Sequence, residues 1–170
     1  TKVYFNDPSG FGTIKFENCI YNIKNKLSSI GHDMLSCPAS SSDFYNLISS
    51  QRYDKNICEF LIDQDLVSGI GNYIKSEALY MSRVSPHREC GSISLFEAVS
   101  LRMAIVKITN DSYSSGGVFK GPNRTISPVK FSYSKNLCVY SKLKDPFGRD
   151  IKVEKTSDNR NTYWVPSIQR

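Results

Sequence analysis

The sequence reads as an α+β chain that is mainly helical. Residues 3–16 alternate apolar and polar as strands do, residues 17–113 carry helical spacing, and the alternation returns from about residue 118. With 170 residues, 39% hydrophobic and 12% aromatic, the chain can bury the core of one ordinary domain or two small ones.

Each element follows from its local residues. After the opening strands, the serine-rich stretch Ser36-Cys37-Pro38-Ala39-Ser40-Ser41-Ser42 marks a loop and a cap for a short helix over residues 43–49. Residues 57–87 then join two helical patterns through a loop ending Gly69-Ile70-Gly71-Asn72. The paired glycines permit positive backbone angles and a bare approach to main-chain N–H groups. Ile74, Ala78, Leu79 and Met81 share one helical face, which places Asn72 as the N-cap. Such a helix start suits a phosphate, although a Gly-x-Gly-Asn turn also serves as a plain connection between helices.

The next helix opens with a capping box, Ser94 with Glu97. Phe96, Val99, Leu101, Met103, Val106 and Ile108 are expected to form its core side, and Gly116-Gly117 to end it. The closing segment suggests two antiparallel strands, with Phe147, Ile151, Val153, Tyr163, Val165 and Ile168 as packing residues. The turn signal Ser157-Asp158-Asn159 carries Arg160 at its tip.

Charge narrows the partners. Residues 101–170 hold 13 Lys/Arg against 5 Asp/Glu, whereas residues 1–100 hold 9 against 11. The excess that gives the chain its net +6 therefore lies in the second half, where Lys120, Arg124, Lys130, Lys135, Lys142, Lys144 and Arg149 alternate with Phe119, Phe131, Tyr133 and Tyr140. That pattern fits a surface that follows a polyanion. Cys19, Cys37, Cys58, Cys90 and Cys138 are scattered without a CxxC pair, so no zinc site and no disulfide framework is expected. No apolar run reaches 18 residues, and an intracellular protein with reduced thiols is expected. The two histidines, His32 and His87, have no partner spaced for metal or triad chemistry.

Three segments resemble the Fpg/Nei family of DNA glycosylases. Leu61-Ile62-Asp63-Gln64, Gly69-Ile70-Gly71-Asn72, Glu77 and Pro86-His87 resemble its helix-two-turn-helix element. Asn6-Asp7-Pro8-Ser9-Gly10-Phe11-Gly12 and Ile30-Gly31-His32-Asp33-Met34-Leu35 resemble two earlier family motifs. Residues 159–169 are similar to the family's closing finger motif, with Val165 and Ile168 where its second cysteine pair would stand. The resemblance therefore implies a zincless finger, and three regions: residues 1–16 as the end of an N-terminal β domain, 17–117 as the helix-two-turn-helix domain, and 118–170 as the finger.

It further implies DNA contacts by Asn72, Gly71, Arg160 and Tyr140, and a void-filling role for Phe11 when a damaged base is turned out of the duplex. Glu77 is expected to be structural, bonding the backbone of a turn. The family's nucleophile is an N-terminal proline followed by glutamate, whereas this chain opens Thr1-Lys2-Val3. The implied function is thus the DNA-binding part of a glycosylase/AP lyase whose catalytic residues are absent here, without cofactor and monomeric. Ser9 departs from the family's usual arginine, and the segment after Gly117 differs too. Oxidised pyrimidines or hydantoins are favoured over 8-oxoguanine. A non-catalytic nucleic-acid-binding module is the alternative.

Overall fold

In the computed structural model of the chain, which describes residues 4, 13–51, 55–117 and 133–170, four of five helices build the main apolar core and a two-stranded hairpin packs on one of them. The helices are α1 (Ile20–Ser28), α2 (Ser41–Ser50), α3 (Ile57–Ile62), α4 (Asn72–Ser82) and α5 (Leu95–Ser114). α2 starts where the serine run supplies a cap, Ser40 Oγ accepting from Asp43 N at 3.1 Å. α3 is too short to persist alone. It forms because Asn56 and Glu59 make a capping box and because Ile57, Cys58, Phe60 and Leu61 are all buried.

α5 packs along α2 and α4. The capping box at Ser94 and Glu97 is present, and the helix ends ahead of Gly116 and Gly117, both with positive φ. Its buried stripe is Ala98, Leu101, Ala104, Ile105, Ile108 and Ser112. Phe96 and Met103, expected in the core, are 80% and 61% exposed. The buried positions Ala98, Leu101, Ile105, Ile108 and Ser112 follow one another at spacings of three and four, and Phe96 and Met103 fall off that face. Phe44 and Phe60 meet edge to face at 5.8 Å inside the core.

Two short strands, β1 (His32–Asp33) and β2 (Val67–Ser68), pair in parallel and bind the loop before α2 to the loop before α4. Gly31 makes this contact possible, since a Cβ there would lie 2.2 Å from the Leu66 carbonyl carbon. The hairpin consists of β3 (Lys152–Lys155) and β4 (Asn161–Trp164), antiparallel with Lys155 opposite Asn161, and β4 lies on α4. Residues 13–19 carry no regular structure, and the rest of the strand pattern expected over residues 3–16 falls outside the described residues, apart from Tyr4. Among the described residues no helix is long and apolar enough to cross a membrane.

Candidate nucleic-acid interface

The glycine loop is shaped by Gln64. Its Nε2 donates to the carbonyls of Ile62 and Ile70 at 3.0 and 3.1 Å, and its Oε1 accepts from Gly69 N at 3.0 Å. Gly69 has φ 84, as the turn requires, whereas Gly71 is extended at φ −106 and ψ 179. Positive backbone angles are thus needed at only one of the two glycines. A Cβ at either would meet nothing within 4 Å, so this face of the loop is open to approach.

Gly71, not Asn72, is the N-cap of α4, and no side chain caps the helix. Asn72 is its first residue because its amide is drawn sideways: Nδ2 donates to the carbonyl of Asn161 in the hairpin at 2.9 Å. Asn72 Oδ1 is buried and has no partner among the described residues. The amide nitrogen carries two hydrogens, and Asn161 takes one. The uncapped first-turn N–H groups lie beside it at the positive end of the helix.

That bond brings the hairpin tip to the helix start. The tip turns through Thr156 N donating to Arg160 O at 3.1 Å, with Asn159 left-handed at φ 61. Arg160, next to Asn161, is exposed, and its guanidinium has no partner among the described residues. Lys75 of α4 meets Asp158 of the turn at 2.5 Å, both side chains buried.

Glu77 anchors residues 138–140 to α4. It is 2% exposed and accepts three backbone N–H groups, from Cys138 and Val139 at 2.8 Å and from Tyr140 at 2.7 Å. The expected structural role at a turn backbone is what the geometry provides. Tyr140 is half-buried, its ring 6.2 Å from that of Tyr73 and 4.9 Å from that of Tyr163.

Two polar side chains organise the turns of the finger. Asp145 accepts from Phe147 N and Arg149 N at 2.9 Å, from Arg149 Nε at 2.6 Å and from Tyr80 OH at 3.1 Å. Burial alone would raise its pKa, but the bonds from Arg149, Phe147 and Tyr80 outweigh that and hold the carboxyl below its ordinary range. Gln169 accepts from Val165 N at 2.7 Å and donates to Val84 O at 2.8 Å. Between them Tyr80, Val139 and Val165 form a small apolar core, flanked by Ile151, Tyr163 and Ile168. Phe147 and Val153, expected to pack here, are 78% and 45% exposed. Hydrogen bonds to Asp145 fix the first turn, so Phe147 is not needed inside. Among the described residues no group of His, Cys, Asp and Glu could hold a metal ion.

The structure thus ties the helix start with Gly71 and Asn72 to the hairpin tip that carries Arg160, through Asn161, and packs the ring of Tyr140 against Tyr73 and Tyr163. Phe11 lies outside the described residues, as do Ser9, Phe119, Lys120, Arg124, Lys130 and Phe131. Gln64 and Gln169 stood inside the motifs quoted above but had no role assigned to them, and Lys75 and Asp145 were not singled out, although Asp145 stands before a Pro-Phe-Gly turn. His87 bonds Glu154 at 2.6 Å, and Glu154 also accepts Trp164 Nε1 at 2.7 Å, so the histidine braces the hairpin from outside.

Residues 30–119 match the formamidopyrimidine-DNA glycosylase H2TH domain, and residues 131–170 match the formamidopyrimidine-DNA glycosylase C-terminal domain. The formamidopyrimidine-DNA glycosylase of Prochlorococcus marinus is 28% identical over 173 residues, covering 96% of this chain and 57% of the relative. That of Xanthomonas oryzae is 29% identical over 168 residues, covering 98% and 61%. The same fold occurs in Lactococcus lactis Fpg complexed with DNA containing an abasic site, with TM-score 0.76, 21% identity, and coverage of 88% and 55%. It occurs also in MutM (Fpg) from Thermus thermophilus, with TM-score 0.77, 24% identity, and coverage of 88% and 57%. The chain spans little more than half the length of these relatives. With the H2TH match covering over half of its residues, and the hairpin placed against that domain's glycine loop, the chain belongs to the formamidopyrimidine-DNA glycosylase family.

Proposed function

We propose that this chain is the DNA-binding C-terminal part of a base-excision-repair DNA glycosylase/AP lyase. The observation that carries the reading is the bond from Asn72 to Asn161, which holds the open N-terminus of α4 against the hairpin tip that carries the exposed Arg160. A helix start and a planar fork of donors converging on one place suit successive phosphates of a bent strand. Gly71 lets the backbone come close. Tyr140 acts through its packing between Tyr73 and Tyr163, which supports both elements. Phe11 is assigned the filling of the space left by the extruded nucleotide.

The chain supplies binding, and the chemistry of base removal and strand cleavage is assigned to the family's Pro-Glu start, which this sequence does not contain. Burial pushes the thiols of Cys58 and Cys90 up to about 11 and about 12, so neither is a nucleophile at neutral pH. The carboxylates of Glu77 and Asp145 are engaged by backbone N–H groups. The finger works without zinc, the protein acts as a monomer inside the cell, and its lesions are oxidised pyrimidines or hydantoins in duplex or single-stranded DNA.

Borohydride trapping on DNA with an abasic site tests this. The chain preceded by a family-type catalytic domain should give a covalent adduct, whereas these 170 residues should bind without one. An adduct formed by the chain itself would overturn the division of labour. Absence of any binding to damaged or undamaged DNA would remove the DNA-binding assignment altogether.

A further inference from the structure

We infer that Lys75 and Asp158 are positioning residues that set Arg160 for its contact with the DNA backbone. The inference rests on the DNA-binding reading above. Lys75 is the fourth residue of α4, in the first turn, where the helix dipole disfavours a cation. Its side chain is nevertheless 0% exposed and Asp158's is 3% exposed, and the two meet at 2.5 Å. Taking both charges out of water offsets most of their attraction, so a pair of this kind adds little to stability over apolar residues of similar volume. Its best-attested use is to fix one register among several.

The bonds around the pair show which register. Asp158 Oδ1 accepts from Arg160 N at 3.4 Å and from the Thr156 hydroxyl at 2.6 Å. The Thr156 hydroxyl also lies 3.2 Å from Arg160 O and 2.7 Å from Thr162 Oγ1. The N–H of Arg160 is therefore tied to the carboxylate that Lys75 holds, and its carbonyl accepts from the N–H of Thr156, whose hydroxyl donates to that same carboxylate. On α4 the residues facing the hairpin are Asn72, Lys75 and Ser76, spaced three and four apart on one face. They meet Asn161, Asp158 and the N–H of Tyr163 respectively. Asn161 and Tyr163 stand two residues apart on β4 and each makes one backbone hydrogen bond to α4, which a small slide of the ribbon could remake; the ion pair at the tip could not, because a buried ammonium left without its carboxylate is strongly disfavoured. Lys75 thereby couples the helix that presents Asn72 to the turn that presents Arg160.

The test uses the whole chain and a fluorescent duplex carrying a tetrahydrofuran abasic analogue. The double variant Lys75→Met with Asp158→Leu replaces the pair by apolar groups of similar size. It should keep the unfolding midpoint of the parent within a few degrees and lose about tenfold in affinity, the loss expected for Arg160→Ala. Added to Arg160→Ala, it should cost nothing further. A merely structural role would instead lower the midpoint and add its loss in full. Thr156→Val, which removes only the hydroxyl, should give a severalfold loss that also vanishes in the Arg160→Ala background, and it decides the matter if the double variant does not fold. Parental affinity in the folded variants, with Arg160→Ala impaired, overturns the positioning role alone. Parental affinity in Arg160→Ala overturns the DNA role of the hairpin tip and this inference with it.

Discussion

Replacing Glu77 by Gln should unfasten the finger from α4 while changing almost nothing in volume. The carboxylate receives Cys138 N on Oε2, and Val139 N and Tyr140 N on Oε1. A glutamine that keeps its oxygen in the Oε1 place turns an NH2 group toward Cys138 N. One charge-assisted bond is lost, worth about 1.5–3 kcal/mol, and two others fall to the neutral range of about 1 kcal/mol each. The site is buried, so water does not restore the orphaned N–H. The sum is about 3 kcal/mol at the low end of those ranges, a substantial share of the roughly 5–15 kcal/mol that holds a domain together. For a chain of this size that corresponds to a drop of about 6–12 °C in the unfolding midpoint. Thermal unfolding followed by circular dichroism and by the fluorescence of Trp164, the single tryptophan, reads both the helical body and the hairpin. A midpoint within about 2 °C of the parent would refute the idea that Glu77 is the main tie between α4 and the residue 138–140 turn.

Other changes probe separate joints. Gly31→Ala would force a methyl into the Leu66 carbonyl, 2.2 Å away, and should cost about 1–3 kcal/mol or more, measured by urea unfolding; an unchanged midpoint would mean the parallel β1–β2 contact is dispensable. The pH dependence of the finger should follow Asp145. Its folded pKa is depressed below the free value of about 3.9, so its stabilisation is complete above that value and is lost as pH falls through the lower folded one. Trp164 emission should therefore change cooperatively only below about pH 4, and Asp145→Asn should weaken that dependence to the part left by Glu154, whose pKa is lowered by bonds from Lys152, His87 and Trp164 that outweigh its burial. A transition centred above pH 5 would contradict the assignment.

Local chemistry made much of the fold legible. A serine run announced the start of α2, serine with glutamate three residues on announced that of α5, and paired glycines announced the end of α5, because caps and left-handed turns are decided within a few residues. What escaped was set by partners distant in sequence. Asn72 looked like a cap, since nothing near it in sequence reveals an acceptor at Asn161. Phe96 and Met103 looked like core, since the phase of an amphipathic helix is fixed by what it packs on, and the face that α5 buries runs through Leu101, Ile105 and Ile108. Lys75 gave no sign of burial because its counter-charge lies in a different element. That the helix start and Arg160 address one DNA strand was implied by the resemblance; the bond from Asn72 to Asn161 that ties their elements was visible only in three dimensions.

The most direct test of the clamp is a double-mutant cycle on Asn72→Ala and Arg160→Ala, with affinity for the tetrahydrofuran duplex measured by fluorescence anisotropy at fixed salt. Each change should cost about 1–3 kcal/mol of binding, and the pair should couple by at least about 0.5 kcal/mol, since both groups address one backbone and share the Asn161 contact. Parental affinity in both single variants would show that the helix start and the hairpin tip do not hold DNA.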